Sequence, residues 1–406
     1  MQRLMSLMLC ALPCLPCLAW AHEGEDHSQG MQNTSTPKLS IGASAHLTTN
    51  SKDAAETDGL WRIPGALMGG HATPIEKGEY VNHASVWGKY VFNPKWDIQA
   101  AIATHDAQFS DLSAELEQLQ INFRPTNQLQ IQAGRMSTAL APSLSHHSEV
   151  SFTEASLMTD TLFGRHVQDE GIRVQAQPIK GLTVGVEAWR GDFYPATKGE
   201  GAQDIFVQFN RQWDAWDVKL GAWSMQAHAV LRGDDRYTGD HGHSHGSGGG
   251  TIPVDIRFTG KTKLNGLWAD LGRISNKGSK TGVQYEVVQS RSKGELFDPT
   301  RKADYSNDYT SYTITPYYDY KKLQFAYRFE RMDVKNTVSG SGAAIIAQEA
   351  NLLTSRSPKR ETVQVTWRMK PHLSTVLAYT RDKTLSDKSN NRTTISLQWS
   401  DTLYQR

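Results

Sequence analysis

Two neighbouring segments with alternating apolar and polar side chains, 119–124 and 128–133, flank the turn Pro125-Thr126-Asn127. In a β-strand successive side chains point to opposite faces, so each segment has one apolar and one polar face. The apolar face carries Leu119, Ile121, Phe123, Leu129, Ile131 and Ala133, and the polar face carries Gln118, Gln120, Asn122, Arg124, Gln128, Gln130 and Gln132. A soluble sandwich would bury the apolar face against a second sheet. A membrane barrel would turn it to lipid and turn the glutamines to a wet lumen.

A long irregular segment, 136–166, separates this hairpin from the next alternating strand, 172–176. The order of hairpin, long loop and strand predicts a loop that folds back into the lumen of a barrel and sets its narrowest point. The alternative is a surface loop folded over the rim of the barrel.

About 16 segments of the chain have the alternation expected of strands, and tight-turn residues separate them in pairs. The predicted strands are 39–48, 81–92, 96–104, 114–124, 128–135, 171–177, 182–190, 205–211, 216–223, 263–274, 282–291, 309–318, 323–332, 362–369, 373–379 and 393–400. Short turns all fall on one rim, and the long connections 49–80, 136–166, 225–260, 292–308 and 333–361 fall on the other. This sorting and the even strand number predict an all-β fold, a transmembrane antiparallel β-barrel of about 16 strands with an inward-folded constriction loop, spanning 38–406.

Aromatic residues gather near the predicted strand ends, where rings with one wet side favour the boundary between lipid and water. They are Trp87, Trp96, Trp189, Phe193, Tyr194, Trp213, Trp216, Tyr317, Tyr318, Tyr320 and Trp399. The alternative is ordinary aromatic packing in a soluble β-core.

The first 21 residues predict export. A basic start at Arg3, an apolar run over 4–18 and the small-residue site Ala19-Trp20-Ala21 are typical of a secretory signal peptide cleaved before His22. A lipoprotein signal at Cys14 or Cys17 is the alternative, and the proline before each cysteine argues against it. The polar segment 22–37 is predicted to be disordered. Together with the barrel pattern, the signal predicts the outer membrane of a Gram-negative bacterium, with membrane lipid and lipopolysaccharide as partners.

Composition excludes several classes of function. All 3 cysteines lie in the predicted signal, so the mature chain offers no disulfide and no thiolate metal ligand. Without Arg3 the 43 basic residues become 42, equal to the 42 acidic residues. This balance indicates no nucleic-acid partner.

Three segments resemble the phosphate-selective porin group, the O/P porins. They are 116–119, 129–135 and 162–172, with the motifs Gly134-Arg135, Gly164-Arg165 and Asp169-Glu170-Gly171. The resemblance implies a homotrimeric outer-membrane barrel that passes small anions. The chain departs from that group because Arg165 is the only arginine or lysine in 137–166. Predicted lumen positions are mixed in charge, with Arg124, Arg173, Lys219, Arg328, Arg368 and Lys370 against Glu187, Glu286 and Glu330.

The predicted function is passive diffusion of small hydrophilic solutes or ions, filtered by size and charge at the inward loop. The predicted constriction residues are His146, His147, Glu149, Glu154, Arg165 and His166. No enzymatic activity is expected, because Ser145-His146-His147-Ser148 supplies only adjacent residues and no nucleophile motif. A plugged energy-coupled transporter needs a far longer chain. A secreted soluble β-protein such as an adhesin is a further alternative.

Two polar tracts carry clustered histidines and are named here the histidine tracts: His241, His243 and His245 in the loop before 263–274, and His22 and His27 near the N-terminus. Imidazoles and carboxylates suit Zn²⁺, and also Cu²⁺ or Ni²⁺. The barrel itself requires no cofactor. The tracts suggest either a porin linked to zinc uptake or, as the alternative function, a metal-capture receptor, while a solvated low-complexity loop is the simpler explanation.

Overall fold

Sixteen antiparallel strands close into one barrel in a computed structural model of the chain. The structure describes residues 38–54, 63–70, 72, 76–108, 112–144, 150–233, 255–354 and 356–406. Each strand pairs with its neighbours in sequence, and β1 closes the barrel by pairing with both β2 and β16. The predicted fold class and strand number are therefore confirmed. The predicted signal peptide and the segment 22–37 lie outside the described residues and stay predictions.

The strands correspond one to one with the predicted segments. They are β1 (Lys38–Asn50), β2 (Gly78–Asn93), β3 (Trp96–Gln108), β4 (Glu115–Thr126), β5 (Leu129–Ser137), β6 (Gln168–Ile179), β7 (Leu182–Trp189), β8 (Ala202–Trp213), β9 (Trp216–Arg232), β10 (Arg257–Ile274), β11 (Lys280–Phe297), β12 (Lys302–Tyr320), β13 (Leu323–Ser339), β14 (Lys359–Lys370), β15 (Leu373–Lys383) and β16 (Asn390–Gln405). Within the described ranges the connections contain two short helices, α1 (Leu157–Leu162) and α2 (Ala343–Glu349), and a 3-10 turn at Pro142–Leu144. Among the described residues no helix is both long enough and apolar enough to cross a membrane.

The hairpin at 115–137 has the two faces that its sequence predicts. Leu119 and Ile121 expose 45% and 42% of their surface on the outside of the barrel, whereas Gln120, Asn122 and Gln132 are buried inside it. Because water is absent from the hydrocarbon core, a closed barrel with an apolar outer face is a structure that can span it.

The aromatic residues divide into two groups, and the prediction that all lie at the lipid boundary is wrong. Rings beside the short turns are exposed on the barrel wall, as predicted: Trp96, Trp213, Trp216, Tyr318 and Tyr320. Trp189, Phe193 and Tyr317 instead face the interior, where they are buried. The Trp189 indole nitrogen donates to Asp204 at 2.8 Å. The difference arises because these inward positions meet folded connections rather than water, and Tyr317, near the short-turn end of β12, packs with Val150 of the connection between β5 and β6.

The prediction of a long connection at 292–308 is also wrong, because the flanking strands continue almost to the centre of that segment. β11 ends at Phe297 and β12 begins at Lys302, and Asp298 closes the turn by accepting from the Arg301 backbone nitrogen at 2.6 Å. Beyond the lipid the outward face of a strand meets water instead of hydrocarbon, so its apolar side chains give way to polar ones and the alternation that marks a spanning strand fades there. Strands β9–β13 therefore form a tall wall.

One side of the barrel interior holds an apolar cluster. Leu157 and Phe163 from the connection between β5 and β6 pack with Met68 from the connection between β1 and β2, against Trp223 on the barrel wall. The Tyr309 hydroxyl also accepts from the Leu67 backbone nitrogen at 3.2 Å. The open space is therefore narrowed by two connections that fold inward.

Candidate pore constriction

The connection between β5 and β6, residues 138–167, is named here the inner loop, and it turns into the barrel directly after β5. The Thr138 hydroxyl donates to one carboxylate oxygen of Glu187 at 2.6 Å, and the Ala139 backbone nitrogen donates to the other at 3.0 Å. Arg173 forms an ion pair with the same carboxylate. The lumen side of β6 and β7 thus fixes the start of the loop.

The inner loop then extends through the interior to the wall formed by β10 and β11. The Trp268 indole nitrogen of β10 donates to the Leu140 carbonyl at 3.0 Å, and the Ser143 hydroxyl donates to Glu286 of β11 at 2.8 Å. Contacts to several walls show that the loop is held within the lumen rather than folded over the rim. The prediction of an inward loop is confirmed.

The next part of the loop contacts the walls on both sides of the seam where β1 pairs with β16. The Asn82 side-chain amide donates to the Thr153 carbonyl at 2.7 Å, and that of Gln364 donates to the Ser151 carbonyl at 2.8 Å. These donors lie on β2 and β14, so the loop is held from both sides of the β1–β16 seam.

Glu154 is the main charged anchor of the inner loop. Its carboxylate accepts from Arg392 at 2.7 and 2.5 Å and lies 3.6 Å from Arg360. Burial alone would raise the pKa of Glu154, but the charges and hydrogen bonds of these arginines, with Arg328, lower it from 4.5 to about 2. Glu154 was predicted to line the constriction. The structure places its carboxylate in a buried arginine cluster, where it anchors the loop.

Helix α1 continues this anchoring. The Ser156 hydroxyl accepts from the Thr159 backbone nitrogen at 3.0 Å, as an N-cap residue does. The Leu157 backbone nitrogen donates to Glu330 at 2.7 Å, so a wall carboxylate satisfies a second free donor of the first turn. Arg360 pairs with the same Glu330 at 2.9 Å.

The end of the inner loop carries the other predicted constriction residues. Arg165 adopts a positive φ of 83° and pairs with Asp160 at 2.9 Å. The His166 ring lies 5.1 Å from that of His105, centre to centre. Both Arg165 and His166 line the central cavity. The predicted residues His146, His147 and Glu149 lie outside the described residues, as do the histidine tracts.

Carboxylates compensate the charges of most predicted lumen cations. The ion pairs are Arg124 with Asp97, Arg173 with Glu187, Arg328 with Glu330 at 3.1 Å, and Arg368 with Asp319 at 2.7 Å. Lys219 lines the central cavity. The placement of these side chains therefore favours a wall of balanced charge over a continuous cationic track.

A cavity of about 250 Å³ remains beside the inner loop. Its walls carry His83 and His105 on one side, the loop residues around Thr153, and Asp270 and Glu286 on the other side. The lining is rich in polar groups, so water and hydrated solutes can occupy it.

Sequence reasoning missed a histidine and carboxylate cluster on the wall formed by β2, β3 and β4. His83 and His105 are cross-strand partners, and their Nε2 atoms lie 3.0 and 3.8 Å from the Glu117 carboxylate. His46 pairs with His83 on the next strand. A signal existed, since these histidines lie near the outer ends of the first three predicted strands. This signal could be used only with the strand register. In addition, the third strand was predicted to end at 104, one residue before His105.

No protein-family model and no curated protein matches the chain, whereas several solved structures share its fold. A loop L8 deletion mutant of OmpT, an outer membrane protein of Vibrio cholerae, is 11% identical, with a TM-score of 0.54 over 90% of this chain and 100% of that one. In-vitro folded OmpT in its trimer form is 8% identical, with a TM-score of 0.50 and the same coverage. The outer membrane channel DcaP of Acinetobacter baumannii is 9% identical, with a TM-score of 0.50 over 90% and 98%.

The fold is that of outer-membrane porins. A closed barrel of this fold with an apolar outer face belongs in the outer membrane of a Gram-negative bacterium. The predicted location is therefore confirmed.

Proposed function

We propose that the chain is a porin for passive diffusion of small hydrophilic solutes or ions. The observation that carries the proposal is the inner loop, which contacts opposite walls of the barrel and leaves a polar cavity beside it. A fixed obstruction in a wet lumen filters by size without any covalent step, so no enzymatic activity is part of the proposal.

The proposed filter is weakly selective for charge. Phosphate selectivity, which the resemblance to the O/P porins implies, needs cations whose donors are available to an anion. Here Arg124, Arg173, Arg328 and Arg368 each lie beside a carboxylate, and these pairs support a mild ion preference.

Assembly as a homotrimer is part of the proposal. The trimer form of OmpT, whose barrel is similar to this one, supports it. Mass measurement of the detergent-solubilised protein by light scattering should give three chains per particle, and a single chain per particle would contradict the assembly without affecting the channel.

A link with divalent cations is the second candidate, either as zinc uptake through the pore or as metal capture by the histidine tracts. The His83, His105 and Glu117 cluster in the pore wall favours passage through the pore. Capture by the tracts stays a prediction, because those residues lie outside the described part of the chain.

Single-channel recording in planar bilayers tests the main proposal. Folded protein should give stable conductance steps, with reversal potentials close to zero in graded potassium chloride, and deletion of 240–250 should leave the steps unchanged. Folded, bilayer-inserted protein that gives no steps would overturn the porin proposal. A strongly anion-selective reversal potential would instead favour the phosphate-selective alternative.

A further inference from the structure

We infer that His83, His105 and Glu117 form a binding site for a divalent transition-metal ion, best suited to Zn²⁺, in the wall of the pore. One potential ligand atom from each residue lies within 4.8 Å of the others. Ligand atoms of a tetrahedral zinc site with bonds of about 2.0–2.2 Å are separated by roughly 3.3–3.6 Å. The observed separations from Glu117, 3.0 Å to His83 and 3.8 Å to His105, bracket that spacing.

Two β-bulges, on the strands that flank β3, direct the cluster into the lumen. The register between β3 and β4 passes from Ala101 opposite Gln118 to Ile102 opposite Leu116, which leaves Glu117 as the additional residue. Leu116 and Leu119 are both exposed on the lipid side although they are three residues apart. The bulge therefore allows Glu117 and Gln118, which lie between them, to face inward together.

The second bulge lies on β2. The register between β1 and β2 passes from His46 opposite His83 to Leu47 opposite Val81, which leaves Asn82 as the additional residue. Asn82 and His83 both line the cavity as a result. Bulges re-aim side chains and are frequent beside functional sites. Two bulges beside one set of potential ligands indicate that the backbone of the wall directs these side chains towards a common point.

The inner loop closes the other side of the site. Asn82 donates to the Thr153 carbonyl, and Gln168, two residues after His166, donates to the Glu117 carbonyl. Because the His166 ring lies 5.1 Å from that of His105, His166 is well placed to supply a fourth ligand. Glu115, whose carboxylate is 3.5 Å from His105 Nε2, lies on the outer side of the cluster.

The donor set determines the class of ion. Two imidazoles and one carboxylate suit Zn²⁺, Cu²⁺ and Ni²⁺, whereas Mg²⁺ and Ca²⁺ prefer oxygen ligands alone. The three wall ligands leave a fourth position, which either His166 or a water molecule can take, and with water there a bound ion can exchange with the lumen. The site does not depend on the proposed porin function, but its role as a station for a permeating cation does.

Calorimetry on the full-length barrel tests the site in a background in which every histidine of the two histidine tracts is replaced by glutamine. We expect one Zn²⁺ per chain to bind in that background and Mg²⁺ not to bind. The double variant His83→Gln, His105→Gln should weaken zinc binding by roughly 10- to 100-fold or more, because even loss of an outer-shell partner costs that much. His372→Gln, in the exposed turn between β14 and β15, is the matched control and should bind as before.

Glu117→Gln gives an independent measurement if the histidine variants fail to fold, since it retains the shape of the side chain and removes only its charge. Zinc binding that is unchanged in both Glu117→Gln and the double variant would overturn the inference. Loss of binding in Glu117→Gln alone, with His372→Gln unaffected, would support it.

Single-channel recording separates the site from the porin proposal. If the channel conducts, micromolar Zn²⁺ should reduce its current, and the double variant should abolish that reduction. A barrel that binds zinc at this cluster but gives no conductance would overturn passive diffusion and leave the site intact. A barrel that conducts but binds no zinc would overturn the site and leave the porin proposal intact.

Discussion

Gly134 occupies a position on β5 where the backbone excludes other residues. Its φ of +125° lies in a region that L-residues rarely adopt, and an added Cβ would lie 2.1 Å from the Leu119 carbonyl oxygen. Gly134 belongs to the Gly-Arg motif that resembles the O/P porins. The backbone conformation of this wall therefore explains the glycine of the motif without any role in anion binding.

Gly134→Ala should lower the free energy of unfolding by about 1–3 kcal/mol, the usual cost of a strained backbone position. Gly88→Ala is the control, because it lacks a positive φ and the nearest atom to its added Cβ is 3.9 Å away. Urea titrations of the folded protein in detergent, followed by electrophoretic mobility, compare the two. Equal midpoints would contradict the predicted strain.

At the scale of the element, the inner loop is held by charge. Glu154 is ionised within a cluster of buried arginines, and its pKa of about 2 lies below its ordinary value of 4.5. A depressed folded pKa contributes stability that is fully present above pH 4.5 and is lost as the pH falls towards 2. Loop docking should therefore be insensitive to pH near neutrality and weaken in acid.

Glu154→Gln should reproduce the acid state at neutral pH. It removes one carboxylate from Arg392 and Arg360, which keep Asp382 and Glu330, so the expected cost is about 3 kcal/mol, the lower end of the range for a broken buried pair. We expect noisier and larger single-channel currents at pH 7, with no further change between pH 4.5 and 2. Glu170→Gln removes a carboxylate that is 57% exposed beside Arg190 and should leave the currents unchanged. Quiet, wild-type currents from Glu154→Gln would contradict the anchoring role.

Sequence alone could predict that the inner loop folds inward, because strand alternation stops at 136 and resumes at 172. It could not predict the anchors, since Glu154 and Arg392 are 238 positions apart and meet only when the barrel closes. The same limit applies to the wall cluster, because the bulges at Asn82 and Glu117 shift the register by one residue. Period-two patterns identify faces, whereas sites depend on the register between strands.

At the scale of the whole molecule, the apolar outer face determines where the barrel is stable. Leu377, in the middle of β15, exposes 51% of its surface to the exterior. Leu377→Arg should destabilise the barrel in lipid vesicles by about 2–4 kcal/mol, the cost of an arginine near the bilayer midplane. Asn127→Arg, in the exposed turn between β4 and β5, is the control and should have little effect. Guanidinium titrations in vesicles give both values, and equal stability of the two variants would contradict a lipid-facing position for Leu377.

The tall wall formed by β9–β13 makes the mouth of the barrel asymmetric. Its strands have 17 to 19 residues, whereas a tilted strand crosses the bilayer in about 9–11, so the surplus rises roughly 20 Å beyond the lipid. Further round the barrel, β5 and β7 have 9 and 8 residues and end close to the headgroups. A bulky ligand such as an antibody can therefore bind the tall wall while small molecules still enter over the short strands. Molecules that enter over β5 first reach the adjoining wall of β2, β3 and β4, where the clustered histidines lie.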